Sequence, residues 1–166
     1  MKPGEQRILS DDGVRKVQSI IDSEGLDAKV IWHKDKPVLS MEDAIAVHGI
    51  APKNVLKCLV MKDRKSRIIA VMAPGDIRID IKKLEELTGL KKLTFVAGEE
   101  LIAKLGVEPG AVDPLTLPQR VSEVFAERSL MEKDFVIGSA GSKYCGLKIK
   151  PADIIRIVET TILDLQ

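Results

Sequence analysis

Apolar positions along this chain follow two periods. Val14, Val17, Ile20 and Ile21 recur three or four residues apart, which predicts a helix capped by Ser10, running to about Glu24 and stopped at Gly25. Ala28 to Trp32 reads as a strand ending at His33, and Lys34 to Pro37 as a loop. Ser40-Met41-Glu42-Asp43 has the form of a capping box and opens a short helix that ends at His48-Gly49. Asn54 to Met61 is of another kind. In a strand Leu56, Cys58 and Val60 point one way and Val55, Lys57, Leu59 and Met61 the other. Both faces are apolar, as in a central strand covered on both sides. Asp63 to Ser66 is a hairpin-like loop that returns the chain as a second such strand, Arg67 to Ala73.

After a turn at Pro74-Gly75-Asp76, Asp80 is expected to cap a helix bearing Ile81, Leu84 and Leu87, closed by Gly89. Leu93 to Val96 reads as a short strand, and Gly98 to Leu105 as a helix ended by Gly106. Residues 106–118 hold two glycines and three prolines, which describes a rigid, shaped loop. Val121 to Phe125 is a weak strand. Phe135 to Ile137 is a better one, and the glycine-bearing stretch Gly138 to Gly141 is expected at its end. Leu147 to Ile149 is extended, and Pro151 suits the first turn of a last helix. Strands and helices alternate irregularly, with at least one hairpin. That favours an α+β single domain built on a mixed sheet over a doubly wound parallel one.

Composition narrows this only in part. A chain of 166 residues is expected to form one domain, and 3% aromatic content makes its core aliphatic. Net charge is +1, from 26 basic and 25 acidic residues, which speaks against an extended duplex footprint and leaves a short contact to a nucleic-acid end. No 18-residue apolar run suggests a membrane span, and no apolar stretch follows the first residues as a secretory signal would require. Cys58 and Cys145 have no CxxC or Cys/His spacing, which speaks against a structural zinc site and for a reducing compartment, so the cytoplasm is the expected location; no cofactor is expected.

Candidate chemistry begins with Lys57. An ammonium among core residues is costly unless an anion meets it. Gly138-Ser139-Ala140-Gly141 lacks the spacing of a dinucleotide loop. Neither His33 nor His48 has a helix-spaced partner, and by position alone each reads as structural. Cys58 reads as a small core residue, and Ser139 has no neighbouring base. What remains is a constellation: Lys57, the loop from Gly110 to Pro114, and the stretch from Gly138 to Gly141. Glycine and proline loops can aim successive backbone N–H groups at an anion or a polarised carbonyl, with the lysine opposite.

In the order and spacing of its motifs the sequence resembles the YbaK/prolyl-tRNA-editing family of aminoacyl-tRNA deacylases. The resemblance runs through His33, Lys36-Pro37, Ser40-Met41-Glu42-Asp43-Ala44, Val55-Leu56-Lys57-Cys58-Leu59-Val60, Gly110-Ala111-Val112-Asp113-Pro114, Ser139-Ala140-Gly141 and Leu147 to Ile154. It implies a mixed, partly barrel-like sheet flanked by helices. It divides the chain into an N-terminal helical segment, 1–27, packed on a deacylase domain, 28–166. It also implies metal-independent hydrolysis of the ester joining a wrong amino acid, alanine or cysteine, to a prolyl-type tRNA. Water attacks the ester, helped by the terminal ribose hydroxyl.

Lys57 then corresponds to the family's functional lysine and Gly110 to Pro114 to its substrate loop. His33, Ser40, Gly110, Ala111, Val112, Asp113, Pro114, Gly138, Ser139, Ala140 and Gly141 become candidate substrate-binding residues. The acceptor end of tRNA is the expected partner, with an aminoacyl-tRNA synthetase as a further one. Asp113 stands where the family carries a small or hydroxylated residue; a carboxylate there would hold the substrate's amino group, orient water, or repel phosphate. This departure motivates an alternative, a non-catalytic module that binds aminoacyl-tRNA or a synthetase. Glu127 replaces an expected aspartate, and no histidine occurs in Ser142 to Cys145.

Overall fold

The structure, a computed structural model, describes residues 3–166, with side-chain surroundings from Asp12 onward. It opens with α1 (Pro3–Glu24), β1 (Lys29–Trp32), α2 (Met41–His48), β2 (Leu56–Lys62) and β3 (Ile68–Pro74). Then follow α3 (Ile81–Thr88), β4 (Thr94–Phe95), α4 (Glu99–Leu105), β5 (Glu123–Glu127), β6 (Val136–Ser142), β7 (Cys145–Ile149), α5 (Pro151–Ile157) and β8 (Thr161–Leu163). Helix α1 already begins at Pro3, so Ser10 lies within it and is not its cap; the Ser10 side chain falls outside the described residues.

The two doubly apolar stretches make the centre. Strands β2 and β3 pair antiparallel, from Leu56 opposite Pro74 to Lys62 opposite Ile68. Parallel to β3 lies β5, and parallel to β5 lies β8, giving the order β4-β2-β3-β5-β8. A second, antiparallel sheet runs β1-β7-β6 and touches the first through one bridge between Val55 and Ile137. The sheet is therefore mixed and split in two, joined at one corner and not closed as a barrel.

Alternation along β3 separates two cores. Ala70 and Met72 face a cluster with Val14, Val17 and Ile21 of α1 and Ile154 of α5, while Ile69, Val71 and Ala73 face one with Leu84 of α3. All are fully buried or nearly so, and full burial of one such large side chain is worth about 1.5–3 kcal/mol. A third cluster sets Val60 of β2 against Leu101 and Leu105 of α4.

Capping follows the expected chemistry. Ser40 Oγ accepts from the Asp43 N–H at 3.1 Å, and Asp80 from the Lys83 N–H at 3.1 Å. The Asp43 carboxylate reaches back to the Leu39 N–H at 3.0 Å, one residue before the cap, which also fixes the approach to α2. Gly25, Gly49, Gly89 and Gly106 adopt positive φ just beyond helix ends. Among the described residues no helix is long and apolar enough to cross a membrane.

Candidate functional site

Lys57 sits near the start of β2 on the face shared with Leu59 and Met61, opposite Cys58, as alternation requires. It is half-buried, at the wall between two cavities that, among the described residues, share Lys57 and Gly75. Its ammonium donates to the Ile77 carbonyl oxygen. Burial pulls the Lys57 pKa below its usual value, and the Asp76 carboxylate opposes that pull.

The smaller cavity, about 340 Å³, contains most of the expected constellation. His33, Ser40, Lys57, Gly110, Val112, Gly138 and Ser139 all line it. It opens at the N-terminal end of β2, so consecutive residues from both faces of the strand, Val55 to Cys58, reach it. Gly110 is held there by geometry. Its φ is +84°, and a Cβ would lie 2.7 Å from the Val38 carbonyl oxygen and 3.0 Å from Lys143 Cβ. Gly138 is similarly constrained, since a Cβ would press on the Leu56 side chain at 3.1 Å.

Ala111, Asp113, Pro114, Ala140 and Gly141 lie behind this wall. Asp113 is buried and its carboxylate is spent inside its own turn. It accepts from the N–H groups of Leu115 and Thr116 at 2.9 and 2.8 Å and from the Thr116 hydroxyl at 2.6 Å. Burial raises its pKa, and the bonds from Thr116 and Leu115 work the other way. Arg120 extends the network, donating to Thr116 Oγ1 at 3.3 Å and to the Leu105 carbonyl oxygen at 2.8 Å. Asp113 is thus not among the residues that line the cavity, and the loop owes its stiffness to a buried, hydrogen-bonded carboxyl group as well as to proline. The Ala111 N–H is also committed, to the Glu108 carbonyl oxygen at 3.0 Å, leaving Gly110 and Val112 as the loop residues that face the cavity.

Gly138 to Gly141 is not a strand end. Strand β6 continues through it to Ser142 and pairs with β7 across an irregularity between Ser139 and Ser142. Ser139 Oγ accepts the Gly141 N–H at 3.1 Å and donates to the Ser142 carbonyl oxygen at 3.3 Å. Beyond it the strand turns its small residues to the core: Ala140 is fully buried, and Gly141 meets Gly13 of α1. A Cβ on Gly141 would lie 2.7 Å from the Gly13 carbonyl carbon. Glu127 is likewise structural. It accepts from Ser129 and from the Leu165 N–H and so ties the end of β5 to the C-terminal strand region.

Sequence spacing did not reveal His48 as a lining residue. The strand end and the helix end that carry His33 and His48 meet in space, with ring centroids 5.2 Å apart at 86°. Both rings line the cavity. His48 backs onto Gly146 of β7, where a Cβ would lie 2.7 Å from its Cε1 and 2.8 Å from its Nε2. Burial, and then the nearby His33, lower the His48 pKa. Cys58 and Cys145 also touch the cavity, but burial pushes both thiols up, Cys145 to about 12, so neither supplies a thiolate near neutral pH. No group of three or more potential metal ligands occurs among the described residues.

Residues 35–157 match the sequence profile of the aminoacyl-tRNA editing domain. The chain is 26% identical over 126 residues to an Enterococcus faecalis protein provisionally named as a Cys-tRNA(Pro)/Cys-tRNA(Cys) deacylase; the match spans 76% of this chain and 75% of that one. It is 31% identical over 90 residues to the proline–tRNA ligase of Bacillus licheniformis, where the match spans 54% of this chain but only 15% of the ligase. A crystal structure of a hypothetical protein superposes with a TM-score of 0.81 at 25% identity, covering 90% of this chain and 98% of that one. Another, provisionally described as a trans-editing enzyme for prolyl tRNA synthetase, has the same fold, with a TM-score of 0.78 at 20% identity over 93% and 96% of the two chains.

Proposed function

Because this chain belongs to the aminoacyl-tRNA editing domain family, we propose that its cavity hydrolyses the ester of a mischarged prolyl-type tRNA, with alanine or cysteine as the acyl group. The observation that carries this reading is the placement of Lys57 and the Gly110–Val112 face of the stiff loop in one cavity of about 340 Å³. Lys57 supplies a cation for the terminal ribose end of the tRNA, exchanging its bond to the Ile77 carbonyl oxygen, which lines the neighbouring cavity, for that contact. The amides at Gly110 and Val112 are suited to hold the carbonyl oxygen as it gains charge. Water attacks the carbonyl carbon, the bond to the ribose oxygen breaks, and that oxygen takes up a proton while the free amino acid leaves. In this route the chain supplies position, charge and a dry wall; the nucleophile is water, and no metal is invoked.

Walls of Val38, Val55, Leu56 and Leu101 bound the acyl group by size, which excludes a bulkier residue more readily than a smaller one. The relation to the ligase sequence supports a synthetase as the source of the substrate and a transient partner. The alternative of a purely binding module drew on the departure at Asp113; a side chain bonded within its own turn supports it less than the deacylase reading.

Deacylation of Ala-tRNA and Cys-tRNA of the proline type by wild type and Lys57→Ala tests the proposal. The expected result is turnover by wild type and a loss of about 100-fold or more in kcat/KM for the variant, the scale of losing one charge-stabilising donor. Equal rates would remove Lys57 from the reaction, and inertness of the wild type toward both esters would reject the deacylase reading.

A further inference from the structure

The α-amino group of an aminoacyl ester needs an acceptor, and few side chains of the cavity offer one. Among the described residues no carboxylate lines it. Asp113 is spent on Leu115 and Thr116; Glu108 keeps a buried Oε1 without a hydrogen-bond partner, but it lies outside the lining, its other oxygen 3.8 Å from the Lys143 ammonium. The hydroxyls of Ser40, Ser139 and Ser142 each already accept a backbone N–H. His48 presents its Cε1–Nε2 edge to Gly146.

His33 is placed differently. Its Nδ1 lies 2.5 Å from the Lys36 carbonyl oxygen. A carbonyl can only accept, so Nδ1 carries the proton, and the neutral ring keeps a bare lone pair on Nε2. The loop from His33 to Lys36 thereby fixes the tautomer, and the edge-on His48 ring fixes the plane. An imidazole held in this way can receive an ammonium or a neutral amine.

We infer that His33 Nε2 receives the substrate's α-amino group, with His48 as the positioning residue behind it. The assignment rests on the deacylase reading and adds its amino-group recognition. It gives the amino group a contact at His33 instead of at Asp113, for which holding that group was one of three roles open in the sequence.

The test compares alanyl-tRNA with propionyl-tRNA, the same acyl group without its amine, each rate divided by that ester's spontaneous hydrolysis. Wild type is expected to prefer the alanyl ester by about 10- to 100-fold, the scale of a hydrogen bond to a charged group. His33→Phe, which keeps a flat ring against His48, is expected to bring that preference close to unity, and His33→Gln to restore part of it. Because the readout is a ratio within one protein, a partial loss of folded enzyme does not move it. No preference in wild type, or a full preference retained in His33→Phe, would overturn the assignment. Failure of wild type to cleave either the alanyl or the cysteinyl ester strikes at the deacylase reading itself, and the assignment goes with it.

Discussion

Two glycine-bearing stretches look alike in sequence, Gly110 to Pro114 and Gly138 to Gly141, and the fold builds them by opposite means. The first is irregular backbone held by side chains: a buried aspartate gathers two backbone N–H groups and a hydroxyl, and an arginine closes the network onto α4. The second is a strand interior held by pairing to β7, with a local irregularity that changes what it faces. Gly138 and Ser139 look into the cavity, whereas Ala140 and Gly141 look onto α1 and the core. The loop therefore places its glycine through polar bonding inside itself, and the strand places its glycine by close packing against a neighbour. A site assembled from both inherits two separate ways to fail.

That difference sets the expected consequences of substitution. Asp113→Ala removes three hydrogen bonds from a buried turn and should lower stability by about 3 kcal/mol, read as a fall of about 6–12 °C in Tm. Asp113→Asn, which keeps an acceptor for the two N–H groups, should lose clearly less; equal losses would mean that the network is not what stiffens the loop. Gly141→Ala should cost about 2 kcal/mol in urea unfolding, because a side chain at φ +99° meets Gly13 backbone. Its kcat/KM per folded molecule should stay near wild type, since that face lies away from the cavity.

Gly110→Ala should show the reverse balance. The new methyl must displace Val38 or Lys143, and a shift of the loop should lower kcat/KM by about 10-fold, with about 1 kcal/mol of stability lost. If Gly141→Ala impaired turnover as much as Gly110→Ala, the division between a site-facing loop and a core-facing strand end would be broken. The smallest effect concerns pH. The folded-state pKa of His48 is depressed below 6.5, so as pH falls below that value the unfolded chain takes up a proton before the folded one does. Stability present above pH 6.5 is then lost toward the lower, folded pKa, and His48→Gln should flatten that part of a Tm-against-pH curve.

Much of this architecture was legible because it depends on local period. The two doubly apolar runs fixed the centre, and Ser40, Asp80, Gly49 and Gly89 marked helix ends where they stand. What escaped depends on tertiary neighbours. Strand β8 is three residues long and exists by pairing with β5, and the 3-10 turn at Arg128–Glu132 exists because Glu127 bonds to Ser129. The sequence places Gly138 to Gly141 at a strand end, whereas β6 runs through it to Ser142, and a small residue at Gly141 is what the approach of α1 demands. The site showed the same pattern. Lys57 could be found as a lysine in an apolar run, but nothing in the sequence shows that Leu115 and Thr116 take up the Asp113 side chain. His48 had no sequence signal at all; only Gly146, bare of a side chain, hints at a ring to be accommodated.

The central claim is that the aminoacyl end of a tRNA lodges between Lys57 and the Gly110 loop. A titration followed by backbone NMR, with a non-hydrolysable alanyl-amide analogue of the terminal adenosine as ligand, tests it most directly. The account predicts that the largest shifts fall on Lys57, Gly110, Val112, Gly138 and Ser139, with Ala140 and the Asp113 turn moving little. Shifts that gather on a distant surface, or that spare Lys57 and Gly110 at saturation, would contradict it.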